Sequence, residues 1–265
     1  MGRVLPGLGM LVVWVLLLFG VPGPLFYLVM VALVFTGLYE YFRMVLPGQT
    51  RGELLGSLAV AGLPVLTTII ATPAALLGGL AGGLLGTVLL VLRRYSRLDD
   101  VLAFFSLSVL GLAYISFCGA HLVLIRFLDN GAGWLLLLVA ITAGSDTGAY
   151  YAGRAFGRRK LCPSISPGKT VVGALGGILA GSLAAVLVGS VILPEGSLVR
   201  MALFGPLLVV VGIMGDLIES VIKRSSGVKD SGTILAGHGG LLDRIDSLLL
   251  TAPVFYLLLT CGVLA

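Results

Sequence analysis

Charge is what this chain has least of: Asp, Glu, Lys and Arg make up 11% of its 265 residues, while 58% are hydrophobic. A soluble globular domain carries about a quarter charged residues, so that class is excluded and the chain reads as lipid-embedded. Paired cysteines are lacking too. Cys118, Cys162 and Cys261 stand far apart, with neither a C-x-x-C pair nor a metal-ligand spacing, and read as small apolar fillers. Internal repeats and low-complexity tracts are not evident. The first apolar run ends in Phe19-Gly20-Val21 before Pro22, which offers no small-x-small cleavage site, so it reads as a retained helix. A formal charge of +5 could suggest nucleic acid, but basic residues beside spanning helices are topology signals, and no nucleic-acid partner is expected.

Glycine, by contrast, is plentiful: the 39 glycines suit helices that approach closely in lipid. Apolar runs near 4–20, 24–42, 54–72, 74–92, 99–120, 133–153, 171–193, 201–223 and 241–264 each approach the ~20 residues a bilayer crossing needs. The expected fold is all-α: a polytopic membrane protein of about nine transmembrane helices. Residues 1–265 form a single transmembrane domain, with four helices in 1–95 and five, carrying the chemistry, in 96–265. On this scheme, of 17 lysines and arginines only Arg126 and Arg200 fall on one side, and the rest fall on the other. Cytoplasmic loops collect such residues, so the amino terminus and the loops at 154–170 and 224–240 are expected in the cytoplasm.

A carboxylate inside a spanning helix costs about 2.5–3.5 kcal/mol near the bilayer centre and is a candidate for function by default. Asp146, Asp216, Glu219, Asp243 and Asp246 are singled out on this ground. Asp146 and Asp216 each lie eight residues before an arginine, Arg154 and Arg224, or roughly 12 Å below a basic rim. Asp216, Glu219, Ser220 and Lys223 recur at helical spacing and form one stripe, and Asp243 and Asp246 form another. Four carboxylates brought together would repel one another without cations. Magnesium suits them, since it takes one or two carboxylates together with phosphate oxygens. The alternative is that the acids only pair with Lys223, Arg224 and Arg244, as buried ion pairs do without any chemistry.

Phosphate chemistry also needs cations and free backbone N–H groups. Lys223, Arg224, Lys229 and Arg244 supply the first, and Gly237-His238-Gly239-Gly240, before the last apolar run, supplies the second. For His238 a loop hydrogen bond and a substrate contact stand equally open. Gly168-Lys169-Thr170 is not a phosphate loop, because Pro163 stands where that motif needs glycine and a membrane bundle offers no preceding strand. Lys169 remains a phosphate-binding candidate at a helix start.

Residues 220–246, SVIKRSSGVKDSGTILAGHGGLLDRID, resemble the signature of the phosphatidate cytidylyltransferases, or CDP-diacylglycerol synthases. SDTGAYYAGRAFGRRKL and SPGKT, within 145–170, resemble preceding segments of that family, whereas the first 95 residues match only in being hydrophobic. Ala236 stands where the family usually has proline or glycine, and Gly168 and Val172 where lysine and glutamate are common. The resemblance implies transfer of the cytidylyl group of CTP to phosphatidic acid, giving CDP-diacylglycerol and pyrophosphate. It implies Asp216, Asp243 and Asp246, with Asp146 and Glu219, around magnesium, with or without a second cation. Lys223 and Arg224 are then catalytic. Lys169, Ser220, Lys229, Asp230, His238, Gly239, Gly240 and Arg244 contact substrate. A bacterial inner membrane, surrounding lipids and a homodimer complete the expectation.

Competing readings are a CTP-dependent lipid kinase, which would need a general base at its alcohol, and an ion transporter, whose sites lie nearer the midplane on broken helices. A CDP-alcohol phosphotransferase is disfavoured because its D-G-x-x-A-R run is absent.

Overall fold

In a computed structural model, which describes residues 4–192, 198–232 and 239–264, each apolar run is helical. The helices are α1 (Val4–Phe19), α2 (Gly23–Val45), α3 (Arg51–Ala61), α4 (Leu63–Thr67), α5 (Pro73–Arg94), α6 (Val101–Leu110), α7 (Cys118–Arg126), α8 (Gly131–Phe156), α9 (Val171–Ile192), α10 (Leu198–Ser225) and α11 (Leu242–Thr260). A π-helical stretch, Gly111–Phe117, joins α6 to α7 as one rod. The protein is an all-α polytopic membrane protein. Among the described residues six helices are long and apolar enough to cross a bilayer, or seven if the pair Arg51–Ala61 and Leu63–Ile70, bent by 45°, is one span. α1 and α11 are the two further helices in the expected count of nine.

Local sequence sets the helix starts. Thr50 and Glu53 form a reciprocal capping box on α3, and the Asp100 side chain accepts from Ala103 N (2.8 Å) at α6. One departure from the sequence reading is the loop before α9. Lys160–Cys162 (β1) and Ser166–Thr170 (β2) pair as an antiparallel hairpin, so Lys169 sits on a short strand that runs directly into α9. That strand is half of a hairpin and not the strand of a phosphate loop.

Glycine lets α8 and α9 pack closely along their length. A β-carbon on Gly148 would lie 2.4 Å from the Ala180 methyl carbon and 2.5 Å from Gly176 O, so the two backbones touch. α10 packs on α9, α11 packs on α10 and α7, and α2 lies against the π-helical stretch. Phe26, Tyr41, Phe42, Ile115, Leu135 and Phe255 are fully buried where these helices meet. The two stray arginines both lie at one end of the bundle. Arg126 donates to Leu18 O (3.2 Å), and Arg200, near the start of α10, donates to Gly262 O (3.1 Å). Lys223 and Arg224 lie at the other end of α10.

Candidate active site

α10 carries Asp216, Glu219, Ser220 and Lys223 on one face, and α11 is drawn onto that face by Gly215 and Gly212. A β-carbon on Gly215 would lie 2.6 Å from Asp246 O, so any larger residue would push α11, and Asp246 with it, away. The Tyr114 hydroxyl, from the π-helical stretch, donates to Gly215 O (3.0 Å) and braces the same turn. As a result Asp216, Glu219 and Asp246 each offer a carboxylate oxygen within 4.8 Å of the others.

Lysines sit on both sides of this cluster. Lys169, delivered by β2, places Nζ 2.5 Å from Asp216 Oδ2. Lys223 forms an ion pair with the fully buried Glu219 and reaches Asp243 Oδ1 at 2.5 Å. Ser220 Oγ lies 3.5 Å from Asp216 Oδ1, and Asp246 Oδ1 accepts from Ser247 N (2.6 Å). Two lysines therefore face the five acids Asp146, Asp216, Glu219, Asp243 and Asp246, and three of those acids are close enough to share one ion. That donor set, all hard carboxylate oxygen in a partly dry site, fits a divalent cation such as magnesium.

A cavity of about 410 Å³ opens beside the cluster, between α8, the hairpin, α9 and α10. Its polar wall holds Asp146, Asp216, Lys169, Arg154 and Lys160, and its apolar wall includes Ala174, Val209 and Ile213. Asp146 thus joins Asp216 across the cavity but stands outside the group of three.

Other expected residues take different places. Asp243 stands beside Glu219, sharing Lys223 with it, but outside the group of three. Its Oδ1 pairs with Lys223, while its Oδ2 accepts from Ser231 N (3.0 Å), Ser231 Oγ (3.0 Å) and Gly240 N (2.8 Å). With both oxygens engaged, it organises the loop before α11. Arg224 is exposed and donates to the carbonyls of Ile165 (3.4 Å) and Val228 (3.2 Å), tying the hairpin turn to the loop after α10. Lys229 and Asp230 are exposed on that loop, and Arg244 is exposed in the first turn of α11. Gly239 adopts a left-handed φ of 78° beside Asp243, and Gly240 is buried next to it. His238 lies outside the described residues.

The sequence reading missed a sixth intramembrane carboxylate. Glu40, in the second apolar run, is buried on α2 and accepts from Leu241 N (3.0 Å) and Leu242 N (2.9 Å), with Ser231 Oγ 3.3 Å from its Oε2. The rule that flagged the other five would have flagged it.

Carboxylates and lysines gathered beside a largely apolar cavity define a membrane bundle with a charged site at one end. Residues 1–262 match the cytidylyltransferase family, and the chain belongs to it. It is 41% identical over 180 residues to a phosphatidate cytidylyltransferase of Bacillus subtilis, covering 66% of this chain and 64% of that protein. A phosphatidate cytidylyltransferase of Pseudomonas aeruginosa is 44% identical over 139 residues (52% of this chain, 51% of that protein). An uncharacterized protein of Escherichia coli, YnbB, is 46% identical over 129 residues (49% and 43%). The chain spans between 43% and 64% of the length of these relatives.

Proposed function

We propose that this protein transfers the cytidylyl group of CTP to the phosphate of phosphatidic acid, releasing pyrophosphate and leaving CDP-diacylglycerol in the membrane. The observation that carries the reading is the junction of the acid cluster with the cavity. Asp216, which meets Glu219 and Asp246 in the cluster, also lines a cavity that is otherwise largely apolar and walled by membrane helices. A water-soluble nucleotide and a lipid phosphate need such a meeting place. The names borne by the relatives of Bacillus subtilis and Pseudomonas aeruginosa agree with it.

In the reaction an oxygen of the lipid phosphate bonds to the α-phosphorus of CTP, and the bond to the pyrophosphate oxygen breaks. The attacking oxygen is already ionised near neutral pH, so no strong general base is required. The barrier is the approach of two polyanions, and preorganised positive charge lowers it. Magnesium, held by Asp216, Glu219 and Asp246, would neutralise phosphate charge and orient the nucleotide. Lys169 moves from Asp216 to a phosphate when substrate enters. Lys223 keeps Glu219 and Asp243 in place. Asp146, Arg154 and Lys160 line the route along which the lipid headgroup arrives. The whole chain works as one domain of nine spans, in a bacterial inner membrane and as a homodimer, with the lysine-rich end facing cytoplasmic CTP.

Purified protein in detergent, given labelled CTP, phosphatidic acid and magnesium, is expected to release pyrophosphate. Release of CDP instead would mean lipid kinase chemistry and would overturn the reading.

A further inference from the structure

We propose that Glu40 is a positioning residue of the site, holding the start of α11 so that Asp246 stays against Asp216 and Glu219; the proposal rests on the functional reading above. The first N–H groups of a helix have no partner within it. At α11 two of them, Leu241 N and the Leu242 N that opens the helix, are answered by one carboxylate from α2, at 3.0 and 2.9 Å. Glu40 Oε2 is also 3.3 Å from Ser231 Oγ, which in turn lies 3.0 Å from Asp243 Oδ2. The single hydroxyl proton serves one carboxylate at a time, so Ser231 links two anions that hold the same loop.

The packing is tight enough to specify its neighbours. A β-carbon on Gly232 would lie 2.6 Å from Glu40 Oε1, and one on Gly240 would lie 2.6 Å from Glu40 Oε2. Both glycines leave room for this carboxylate. An acid inside a spanning helix is costly unless its oxygens are used, and those of Glu40 go to α11, more than 200 residues away in sequence. From Leu242 the helix runs through Asp243 to Asp246 within about one turn. A shift at its start therefore carries directly to the acid cluster. The amino-terminal part of the chain thereby takes part in the site.

The test compares the wild type with Glu40→Gln and Gly232→Ala by hydrogen exchange in detergent and by pyrophosphate release per folded molecule. Gln offers one carbonyl and an N–H2 that cannot accept. Gly232→Ala keeps the charge but crowds the carboxylate, and it reads the same contact should Glu40→Gln fail to fold. Both are expected to speed exchange of the Leu241 and Leu242 amides at least tenfold, leaving α8 and α9 unchanged. Both should lower kcat at least tenfold per folded molecule while KM for phosphatidic acid stays within twofold, because the cavity is lined elsewhere. Unchanged exchange overturns the proposal, and so does faster exchange with unchanged kcat, which would make the contact merely structural. Should the wild type itself release no pyrophosphate, the functional reading fails, and the exchange result alone upholds or overturns the clamp.

Discussion

Lys223 offers the sharpest single perturbation, because the structure gives it two acidic partners and little water. Its side chain is 12% exposed, Glu219 is 0% exposed and Asp243 is 11% exposed. Replacing Lys223 by Gln leaves Glu219 as a buried carboxylate with its ammonium gone. Breaking one side of a buried pair costs about 3–5 kcal/mol. At about 2–4 °C per kcal/mol for a chain of this size, melting in detergent should fall by at least about 6 °C. Pairing the change with Glu219→Gln removes the stranded charge and should recover most of that loss, with a coupling above about 1 kcal/mol. Turnover should remain low in the double variant, since an acid of the cluster is gone. The assay is thermal unfolding of the purified variants, followed by pyrophosphate release at a temperature where all are folded. A Lys223→Gln protein that melts within about 2 °C of the parent and has only a raised KM for CTP would refute the reasoning. Lys223 would then be a phosphate ligand and not the counter-ion of Glu219.

Asp246→Asn should leave melting unchanged within a few degrees and reduce pyrophosphate release below about a tenth, because it removes charge from the shared cation site; Asp129→Asn, at the far end, should do neither. Gly148→Leu should weaken or abolish folding, seen as loss of a monodisperse peak in detergent, since its side chain would enter the Gly176–Ala180 stretch of α9. A cysteine replacing the exposed Ser225 should react with an impermeant thiol reagent from the cytoplasmic side, and one replacing the exposed Asp129 only from the opposite side; the reverse pattern would invert the proposed orientation.

The stripe Asp216, Glu219, Ser220 and Lys223 was legible because helical spacing alone puts those residues on one face. The pairing of that stripe with Asp246 was foreshadowed by the short distance in sequence from α10 to α11. Asp243 shows the limit. It lies three residues before Asp246 with the same side chain and nearly the same face, yet beside Glu219 and Lys223 it also takes up the backbone of Ser231 and Gly240. Side-chain type cannot tell a carboxylate that meets other carboxylates from one that meets backbone amides. The hairpin at 160–170 was equally hidden, because SPGKT carries no alternating apolar pattern to announce a strand.

By itself, then, the sequence determined the solvent and the chemistry. Long apolar runs require lipid, the unequal distribution of 17 basic residues gathers charge at one end, and acids inside those runs demand cations. Only the tertiary structure decided which acids come close enough to share one ion, that Lys169 reaches Asp216 from a strand, and that Glu40 on α2 holds the start of α11. The reason is physical. Spacing along one helix fixes a face, whereas contacts between helices depend on where glycines let backbones close, and a hydrogen bond to a backbone N–H leaves no mark on the identity of the residue that donates it.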